Sequence, residues 1–433
     1  MKSADETVCI IGLGYVGLPL ACLCAGRGLD VRGLEVSSSI VDKVNRGTSH
    51  IDDAKLKREV AVLKGKIRAT SDAAEAMKGA DAVIVCVPTP VDAQQEPDLA
   101  ALKSACSAIA KNLKKGQMVI IESTIYPGTV EEVVLPILEQ GSGLKAGKDF
   151  DLAHCPERID PGNEKWPVEK IPRVVAALTP EGTRRAATFY RGILDKGVPV
   201  LELKSLKAAE AVKVTENTFR DINIAFVNEL AKSFDQLGID ISEVVSGAST
   251  KPFGFMPFYP GPGVGGHCIP VDPYYLIKRA RDSGFEHRFL SLAREINNSM
   301  PDYVASLAEK MARNLGAGMK GMRICVLGIS YKKGIDDARN SPAMEIAELL
   351  AKKGADVVSF DPHIPSKSAA KSLEEALKGS AIAVLATDHK EFISPLPPAS
   401  LKKLGVKGVI DARNALDREG IIAAGILYKG IGR

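Results

Sequence analysis

Apolar and polar residues along the first third of the chain follow the pattern of strands, turns and helices. The apolar run Cys9–Ile11 precedes a glycine-rich turn and a helical segment, and the run Val31–Leu34 then ends at an acidic residue. Three more apolar runs lie within residues 80–90, 117–129 and 150–158, and each ends in polar or turn-forming residues. Apolar strands that alternate with helical segments are typical of an open α/β sheet whose strands run mostly parallel.

A long helix is predicted in the middle of the chain. Residues 206–237 contain neither glycine nor proline, and their apolar positions recur at helical spacing. A helix of this length is suited to connect two domains and to form the core of a dimer. Lys213 and Asn217 lie four residues apart and therefore share one helix face, which is either functional or simply polar and solvated.

The last third of the chain repeats the α/β pattern. Residues 300–316 predict a helix that begins at a proline and ends at a glycine, and the sequence GAGMKG after it marks a domain boundary. A strand, a turn, a helix and a second strand ending at Asp361 come next, with further strands within 380–389 and 408–413. Because only Gly328 stands where the first repeat has three glycines, this repeat is not predicted to bind a second dinucleotide.

The predicted fold class is therefore α/β, with two Rossmann-like doubly wound domains joined by a long central helix. The predicted domains span residues 1–205, 206–315 and 316–433.

Composition and charge exclude several classes of protein. The 433 residues are 45% hydrophobic, and the formal net charge of +4 is spread along the chain, so neither a polycationic tail nor nucleic-acid binding is expected. The N-terminal residues lead directly into a predicted strand and no apolar run reaches about 18 residues, so neither a signal peptide nor a membrane span is expected. Most of the eight cysteines lie in apolar segments, so we expect a cytoplasmic protein without structural disulfides.

The glycines after the first apolar run form a dinucleotide-binding fingerprint. Gly12, Gly14 and Gly17 stand in a G-x-G-x-x-G pattern between a predicted strand and a predicted helix, and Glu35 closes the next strand. In this pattern the first glycine permits a tight turn, the second admits a pyrophosphate and the third lets the helix pack on the strand. The Glu35 carboxylate can accept hydrogen bonds from ribose hydroxyls and would repel a 2′-phosphate, so the sequence favours NAD over NADP.

Polar residues come after the other apolar runs of the first repeat. Thr89, Ser123, Thr124 and Glu157 stand just beyond such runs. Open parallel sheets bind ligands beyond the carboxyl ends of their strands, so we expect Thr89, Thr124 and Glu157 to line one crevice. The alternative is that they only cap the next helices, and the neighbouring dinucleotide fingerprint favours the crevice.

Cys268 lies in a loop rich in glycine and proline rather than in an apolar segment. The sequence YPGPGVGGHCIPVDPYY, residues 259–275, can form neither a long helix nor a central strand. Such a loop lets the backbone approach a ligand closely. Cys268 is therefore either an ordinary thiol in an irregular turn or a reactive thiol presented by a shaped loop. Cys155, which precedes Pro156 and Glu157, is interpreted as a packing residue at a strand end.

Seven segments together resemble one family, the nucleotide-sugar dehydrogenases, which oxidise the C6 hydroxyl of a UDP- or GDP-hexose to a carboxylate. In chain order they are GLGYVGLPLA, the PTP strand end, EST-x-x-PGT, PER, KVTENTFRDINIAFVNEL, GGHCIPVDP and SYKKGIDDARNSPA. The resemblance implies an N-terminal NAD-binding domain, a central helical dimerisation domain carrying the cysteine loop, and a C-terminal UDP-binding α/β domain. It implies an oxidoreductase with NAD as cofactor, no metal, a UDP-sugar substrate, and a homodimer or higher homo-oligomer.

The resemblance is closest to one branch of the family. CPERIDPGN looks like the branch that acts on UDP-N-acetylhexosamines, and TKPFGFMPFYPGPGVGGHCIPVDPYYL is most similar to UDP-N-acetylglucosamine 6-dehydrogenases. UDP-GlcNAc is therefore the favoured substrate, with polysaccharide-precursor synthesis as the role. UDP-N-acetylmannosamine dehydrogenases share similar segments, and UDP-GalNAc and UDP-glucose stay open as substrates.

The resemblance also implies a four-electron mechanism that consumes two NAD⁺ per sugar. The Cys268 thiolate captures the intermediate aldehyde as a thiohemiacetal, a second oxidation gives a thioester, and water cleaves it. Lys213 stabilises the thiolate and, with Asn217, the developing alkoxide. The other catalytic candidates are Asp272, which positions Lys213 or water, Thr124, which holds water, and Glu157, which assists thioester hydrolysis.

The binding residues are implied in the same way. The cofactor-binding candidates are Gly12, Gly14, Tyr15, Val16, Gly17, Glu35, Thr89, Ser123 and Arg339. The substrate-binding candidates are Glu157, Arg158, Lys213, Asn217, Arg220, Tyr259, Gly265 and Lys332. Lys332 is the candidate cation for the diphosphate, whereas Arg158 and Arg220 are equally well explained as surface ion pairs. A family arginine from the neighbouring subunit has no clear counterpart, since Lys251 is displaced. His267 adjoins Cys268, but neighbouring side chains in a loop need not meet, so no base is assigned there.

Two other classes of protein fit part of the pattern. Two-electron β-hydroxyacid dehydrogenases also join a dinucleotide domain to a long helix and use a lysine, but they need neither a cysteine nucleophile nor a C-terminal α/β domain. A non-catalytic NAD-binding protein would show no NADH formation with any UDP-sugar.

Overall fold

The computed structural model of the chain describes residues 6–92, 94–159, 163, 165–393 and 396–433. It divides into two compact units, of which the first comprises Met1–Glu216 and Tyr274–Glu286 and the second comprises Asn217–Pro273 and His287–Arg433. Each unit contains its own sheet and two hydrophobic cores, one on each face of that sheet.

The first unit contains a sheet of eight strands. They are β1 (Thr7–Ile11), β2 (Asp30–Leu34), β3 (Ile67–Thr70), β4 (Ala82–Val85), β5 (Met118–Ile121), β6 (Asp151–His154), β7 (Arg173–Ala177) and β8 (Val200–Glu202). The order is β3-β2-β1-β4-β5-β6-β7-β8, and the pairs are parallel except for β6 with β7. Strands β1, β4 and β5 are buried along their whole length, which is why their sequences are continuous apolar runs.

Helices cover both faces of this sheet. They are α1 (Gly17–Gly26), α2 (Ser38–Asn45), α3 (Ala54–Val62), α4 (Ala73–Met77), α5 (Ala100–Asn112), α6 (Leu135–Ser142) and α7 (Pro180–Ile193), with a π-helical turn at Val130–Val134 and a 3-10 turn at Val168–Lys170. Val8 and Ile10 of β1 belong to one core, and Cys9 and Ile11 belong to the other. Successive side chains of a strand point to opposite faces, so one apolar strand supplies both cores.

The predicted central helix is confirmed as α8 (Leu206–Leu237), 32 residues long. The boundary between the units falls within it, after Glu216. Buried polar anchors explain why both units hold this helix. In the first unit Glu210 accepts the N–H groups of Gly128 and Val130 at 2.6 and 2.7 Å. In the second unit Asp221 pairs with Arg294 at 2.5 Å. The predicted domain limits at residues 205 and 315 stay predictions.

The second unit contains helices and a smaller sheet. Its helical elements begin with α9 (Ile241–Ala248), α10 (Asp272–Asp282, shared with the first unit), α11 (Arg288–Asn298) and α12 (Met300–Asn314). Its strands are β9 (Arg323–Leu327), β10 (Asp356–Phe360), β11 (Ile382–Leu385), β12 (Gly408–Asp411) and β13 (Leu427–Gly430). They pair in the order β10-β9-β11-β12-β13 and are all parallel. The predicted α/β class with two such sheets is therefore confirmed.

The remaining helices pack on this second sheet or connect its strands. They are α13 (Pro342–Lys352), α14 (Leu373–Leu377), α15 (Lys390–Ile393), α16 (Pro398–Lys403) and α17 (Arg418–Ala423), with a 3-10 turn at Pro365–Lys367. All eight cysteines are free thiols, and Cys155 is fully buried, as expected of a packing residue. Within the described part of the chain, no helix has both the length and the apolar composition to cross a membrane.

Candidate active site

The turn after β1 is shaped by its three glycines. Gly12 has a φ of +88°, donates to the carbonyl of Leu34 at 2.8 Å, and leaves no room for a Cβ, which would lie 2.7 Å from the Cys86 carbonyl oxygen. A Cβ on Gly17 would lie 1.9 Å from the Gly12 oxygen, whereas a Cβ on Gly14 would meet nothing within 4 Å. The turn therefore places the start of α1 beside the strand end and leaves open space over Gly14, which fits a pyrophosphate.

Glu35 is fixed beside this turn. Its two oxygens accept the N–H groups of Leu13 at 2.9 Å and Ser37 at 3.0 Å, and the residue is buried. A carboxylate has about four acceptor sites, so this one can still accept hydrogen bonds from ribose hydroxyls. Tyr15 and Val16 are half-buried and pack against the core of the first unit. The residues present thus fit NAD.

Thr89 and Thr124, two of the three residues expected to line one crevice, meet at the strand ends of the first unit, and the crevice with Glu157 stays a prediction. Thr89 donates from its hydroxyl to the carbonyl of Thr124 at 2.6 Å, and both residues are half-buried. The Ser123 hydroxyl donates to the carbonyl of Val87 at 2.8 Å. Both hydroxyls therefore link the ends of β4 and β5. A direct contact of Ser123 with the cofactor stays a prediction.

Lys213 and Glu157 form a buried ion pair in the first unit. Lys213 Nζ lies 3.2 Å from Glu157 Oε2, and both side chains are less than a tenth exposed. The other Glu157 oxygen accepts the N–H of Ile159. Burying two charges carries a desolvation cost, and such pairs recur at functional sites. Arg158 forms an ion pair with Glu216, so the structure shows the salt bridge that was the alternative to a sugar contact.

Glu122, in the EST sequence, is a buried carboxylate that the sequence analysis did not single out. It is fully buried, accepts from the Tyr190 hydroxyl at 2.5 Å, and lies 3.5 Å from Arg173 Nη1. Burial raises the pKa of Glu122, and the Arg173 guanidinium opposes that rise. An acidic residue directly after the apolar run of β5 was the signal for it.

The cysteine loop of the second unit lies between α9 and α10, and residues 249–271 form neither helix nor strand. A Cβ on Gly265 would lie 2.7 Å from Tyr331 and 2.8 Å from the Asn340 carbonyl oxygen, and a Cβ on Gly266 would lie 2.8 Å from the Tyr331 ring. The Gly266 N–H donates to the Arg339 carbonyl at 3.0 Å, and the Asn340 side chain donates to the Gly266 carbonyl at 3.0 Å. Here glycine is required because the loop packs closely on the chain itself.

Cys268 is half-buried, and its sulfur lies 3.1 Å from Nδ1 of His267. The loop turns both side chains to the same side and brings these neighbours into contact, which the sequence alone did not require. His267 is therefore a candidate proton acceptor for the thiol, a role that sequence reasoning left unassigned. The adjacency of the two residues was a signal, but the contact depends on the loop conformation.

Asn217 and Asp272 meet in the same unit. The Asn217 amide donates to Asp272 Oδ2 at 2.6 Å, and Asp272 is buried.

Arg339 pairs with Asp337 through its Nε at 2.9 Å. Burial alone would raise the pKa of Asp337, but hydrogen bonds from Arg339 lower it below the ordinary range.

The other predicted substrate residues of the second unit are spread over loops and a helix surface. Arg220 and Tyr259 are exposed, and Lys332 is half-buried in the loop after β9. The structure does not test their contacts, which stay predictions together with those of Gly265.

Arg413 is a further residue that sequence reasoning missed. It stands just after β12, its Nε donates to the carbonyl of Ala386 at 2.8 Å, and its Nη1 lies 3.0 Å from the place of a Cβ on Gly261. Burial lowers the pKa of Arg413, and Asp388 and Asp411 oppose that shift. The rule that ligands bind beyond strand ends applies to this sheet as well and would have indicated it.

Three sequence models of one family match successive parts of the chain. The NAD-binding domain of the UDP-glucose/GDP-mannose dehydrogenase family matches residues 6–194, its central domain residues 207–299, and its UDP-binding domain residues 325–418. The chain belongs to this family. The family's NAD-binding domain covers the glycine turn and Glu35, and its UDP-binding domain covers the second sheet from within β9 to β12 but not β13.

Individual members of the family are similar over nearly their whole length. The UDP-N-acetyl-D-mannosamine dehydrogenase of Pyrococcus horikoshii is 36% identical over 98% of this chain and 99% of that protein. The UDP-N-acetyl-D-glucosamine 6-dehydrogenase of Pseudomonas aeruginosa is 37% identical over 93% of this chain and 94% of that protein. A solved structure of the UDP-D-ManNAc dehydrogenase from P. horikoshii has a TM-score of 0.91 at 35% identity, with 99% of each chain covered.

The chain is thus an NAD-dependent nucleotide-sugar 6-dehydrogenase with a UDP-binding domain. The two relatives carry different sugar names at nearly equal identity, so the family membership does not identify the hexosamine.

Proposed function

We propose that this dehydrogenase oxidises C6 of a UDP-N-acetylhexosamine, with UDP-GlcNAc favoured, for polysaccharide-precursor synthesis. The observation that carries the proposal is the Cys268 thiol held 3.1 Å from the His267 imidazole on a loop whose glycines are packed in place. A half-buried thiol beside a base is the arrangement that covalent catalysis needs.

The reaction takes an alcohol, two NAD⁺ and one water to a carboxylate, two NADH and three protons. NAD, when bound, accepts the hydrides. We assign to the Cys268 thiolate the attack on the C6 aldehyde, which forms a C–S bond and a thiohemiacetal. Loss of a hydride gives the thioester, and water then breaks the C–S bond to release the acid and restore the thiolate. His267 Nδ1 is placed to accept the thiol proton.

The buried ion pair of Lys213 and Glu157 in the first unit supplies a cation and a proton acceptor to the proposed reaction. We assign to the Lys213 ammonium the stabilisation of the alkoxide, and to the Glu157 carboxylate the removal of a proton from the hydrolytic water. Their distance of 3.2 Å lets either group hold a proton that the other releases. Asn217 and Asp272 form the second pair of this proposal, in which Asp272 orients the amide that meets the alkoxide.

The proposed sugar rests on the loop sequence and on similarity. The TKPFGFMPFYPGPGVGGHCIPVDPYYL segment favours UDP-GlcNAc, as does a relative named for UDP-N-acetyl-D-glucosamine at 37% identity. UDP-ManNAc is the second candidate, because the relative and the solved structure from P. horikoshii carry that name.

The test is NADH formation with UDP-GlcNAc, UDP-ManNAc, UDP-GalNAc and UDP-glucose at equal enzyme. We expect the highest kcat/KM with UDP-GlcNAc and two NADH for each sugar. A stoichiometry of one, or a Cys268→Ser variant with full turnover to the acid, would contradict the covalent mechanism. Cys155→Ala is the matched control, since that thiol is fully buried and is expected to leave the stoichiometry unchanged.

We also propose a homodimer built on the second unit. Phe219 and Phe226 lie seven residues apart on α8 and are about half exposed, and Phe289 and Leu292 are exposed on α11. Groups of large exposed apolar side chains on one surface are typical of protein interfaces, and helical spacing places the two α8 residues on one face. Sedimentation of Phe226→Glu against the parent protein tests this. We expect the parent to sediment as a dimer and the variant to dissociate more readily, whereas a monomeric parent would contradict it.

A further inference from the structure

Three consecutive residues after β11 hold the loop that connects β9 to α13. We call Thr387, Asp388 and His389 the 387–389 clamp, and the sequence SYKKG the 330–334 loop. Each clamp residue makes a different contact. The contacts are Thr387 Oγ1 to the Ser330 carbonyl at 2.6 Å, Lys333 Nζ to Asp388 Oδ2 at 2.8 Å, and the Gly334 N–H to His389 Nδ1 at 3.1 Å.

His389 is the buried centre of this clamp. Its side chain is fully buried, and its Nε2 lies 2.8 Å from Ser330 Oγ and 3.1 Å from Asp361 Oδ2. Because the Gly334 N–H needs a lone pair on Nδ1, the hydrogen-bond network assigns the ring proton to Nε2, facing Asp361. The imidazole therefore connects Asp361 at the end of β10 to the far end of the 330–334 loop.

The hydrogen bonds of His389 favour a positioning role for this residue over a role as a metal ligand. The nitrogen and oxygen atoms of His363, His389 and Glu391 lie within 4.8 Å of one another, as metal ligands could. A metal on His389 would need a ring lone pair, and the lone pair of Nδ1 accepts the Gly334 N–H. Metal binding would thus release the loop that the imidazole holds.

The loop held in this way carries two residues of interest. Lys332 lies between the residues that the clamp contacts, and Tyr331 packs against Gly265 and Gly266 of the cysteine loop. A shift of this loop at Gly334 would therefore move Lys332 first. The Tyr331 N–H also donates to the Asp337 carbonyl at 3.0 Å, which keeps the support of the cysteine loop in place.

We propose that His389 is a positioning residue for the nucleotide half of the substrate. Through the Gly334 N–H it fixes the 330–334 loop in the conformation in which Lys332 meets the diphosphate of the UDP-sugar. The inference rests on the proposed function in one respect, that the diphosphate binds at this loop of the UDP-binding domain.

Two amide variants separate the two nitrogens of the ring. In His389→Asn the amide oxygen can take the place of Nδ1 and still accept the Gly334 N–H. In His389→Gln the amide nitrogen can take the place of Nε2 and donate to Asp361, but the acceptor for Gly334 is lost. His363→Asn is the matched control, because His363 stacks on His389 at 4.7 Å between ring centres and lies outside the clamp.

The measurement is UDP binding by calorimetry, together with KM, kcat and NAD affinity for each protein. We expect His389→Gln to weaken UDP binding and raise KM for the UDP-sugar at least tenfold, equivalent to about 1.4 kcal/mol. His389→Asn and His363→Asn should stay within about threefold of the parent, and kcat and NAD affinity should change far less than KM. A merely structural role would weaken both amide variants alike and lower NAD affinity and kcat with them.

The outcomes also separate this inference from the proposed function. If the parent protein does not bind UDP, the proposed nucleotide site is wrong. If the parent binds UDP and the Gln variant binds it equally well, the positioning role of His389 is wrong. If the Gln variant does not fold, the Asn variant alone decides, since UDP binding weakened tenfold or more in that variant would overturn the proposal and binding within threefold would support it.

Discussion

The two sheets begin with the same turn and use it differently. Gly12 and Gly328 have φ values of +88° and +92°, and each donates its N–H at 2.8 Å to the carbonyl that ends the neighbouring strand. A Cβ on either glycine would also collide with the residues that follow the strand on the other side in the sheet. These residues are Cys86 after β4 in the first sheet and Thr387 after β11 in the second. The local backbone of a dinucleotide turn is therefore present twice.

The difference lies in the position of the next helix and in the acid that faces the turn. Helix α1 begins at Gly17, whereas α13 begins only at Pro342. Glu35 accepts two backbone N–H groups, one on each oxygen. Asp361 accepts three backbone N–H groups, contacts His389 and is fully buried. Its carboxylate is committed to the protein itself, so the second turn cannot offer it to a ribose. Topology alone therefore does not make a dinucleotide site.

The largest expected effect comes from Gly17→Ala. Its Cβ would lie 1.9 Å from the Gly12 carbonyl oxygen, a backbone clash that only a shift of α1 can relieve. We expect NAD affinity to fall at least about 100-fold and the free energy of unfolding to fall by roughly 3 kcal/mol, as in overpacked cores. Gly14→Ala is the control, since open space surrounds that position, and it should weaken NAD binding without loss of stability. Equal destabilisation of the two variants would contradict this reading.

The next comparison is Gly12→Ala with Gly328→Ala. Both substitutions force a side chain into a positive φ and against a strand end, so each should lower stability by about 2 to 3 kcal/mol in chemical denaturation. We expect Gly12→Ala to weaken NAD binding and Gly328→Ala to weaken UDP binding, measured separately by calorimetry. If each variant weakened the binding of NAD and of UDP equally, the two turns would not serve separate ligands.

Replacing each acid by its amide should have smaller effects, mainly on stability for Asp361 and mainly on cofactor preference for Glu35. Asp361→Asn leaves four donors facing a group with one acceptor oxygen, so unfolding free energy should fall by about 2 to 3 kcal/mol while NAD affinity stays unchanged. Glu35→Gln loses one of two N–H acceptors, so the cost is about 1 kcal/mol. Its main effect should be a reduced preference for NAD over NADP in initial rates. A stability loss in Glu35→Gln as large as that in Asp361→Asn would contradict the proposed difference between the two acids.

The smallest expected effect is a pH dependence contributed by Asp361. Burial would raise its pKa, but the hydrogen bonds from His389 and from the backbone hold it below the ordinary value of 3.8. A depressed pKa contributes stability that is fully present above the unfolded value and is lost as the pH falls through the folded one. The difference in Tm between the parent and Asp361→Asn should therefore be constant at pH 6 to 8 and shrink below about pH 4. A difference that grew on acidification would contradict this sign.

Much of the fold could be predicted because its signals are local. Continuous apolar runs arise from strands buried on both faces, and the absence of glycine and proline over residues 206–237 indicated the full bounds of α8. The glycine turn and Glu35 were predictable for the same reason, since a tight turn, a close helix and a strand-end acid are set by residues near one another in sequence.

The candidate site contacts that sequence reasoning did not assign depend on residues distant in sequence. The His267 contact with Cys268 depends on a loop conformation that Tyr331 and Asn340 impose through Gly265 and Gly266. Glu122, after β5, meets Arg173 of β7 only because the sheet order places β6 alone between those two strands, and Arg413 meets Ala386 only because β11 and β12 are neighbours in the second sheet.

The sequence by itself determined the strands, the long helix, the dinucleotide turn and the presence of a cysteine in a glycine-rich loop, because backbone freedom and apolar periodicity are properties of short segments. Only the tertiary structure decided why Gly265 and Gly266 have no side chains and which imidazole holds the 330–334 loop. It also decided that Asp361, unlike Glu35, is bound by its own protein. Those facts depend on which groups distant in sequence come into hydrogen-bonding and van der Waals contact, and tertiary packing determines those contacts.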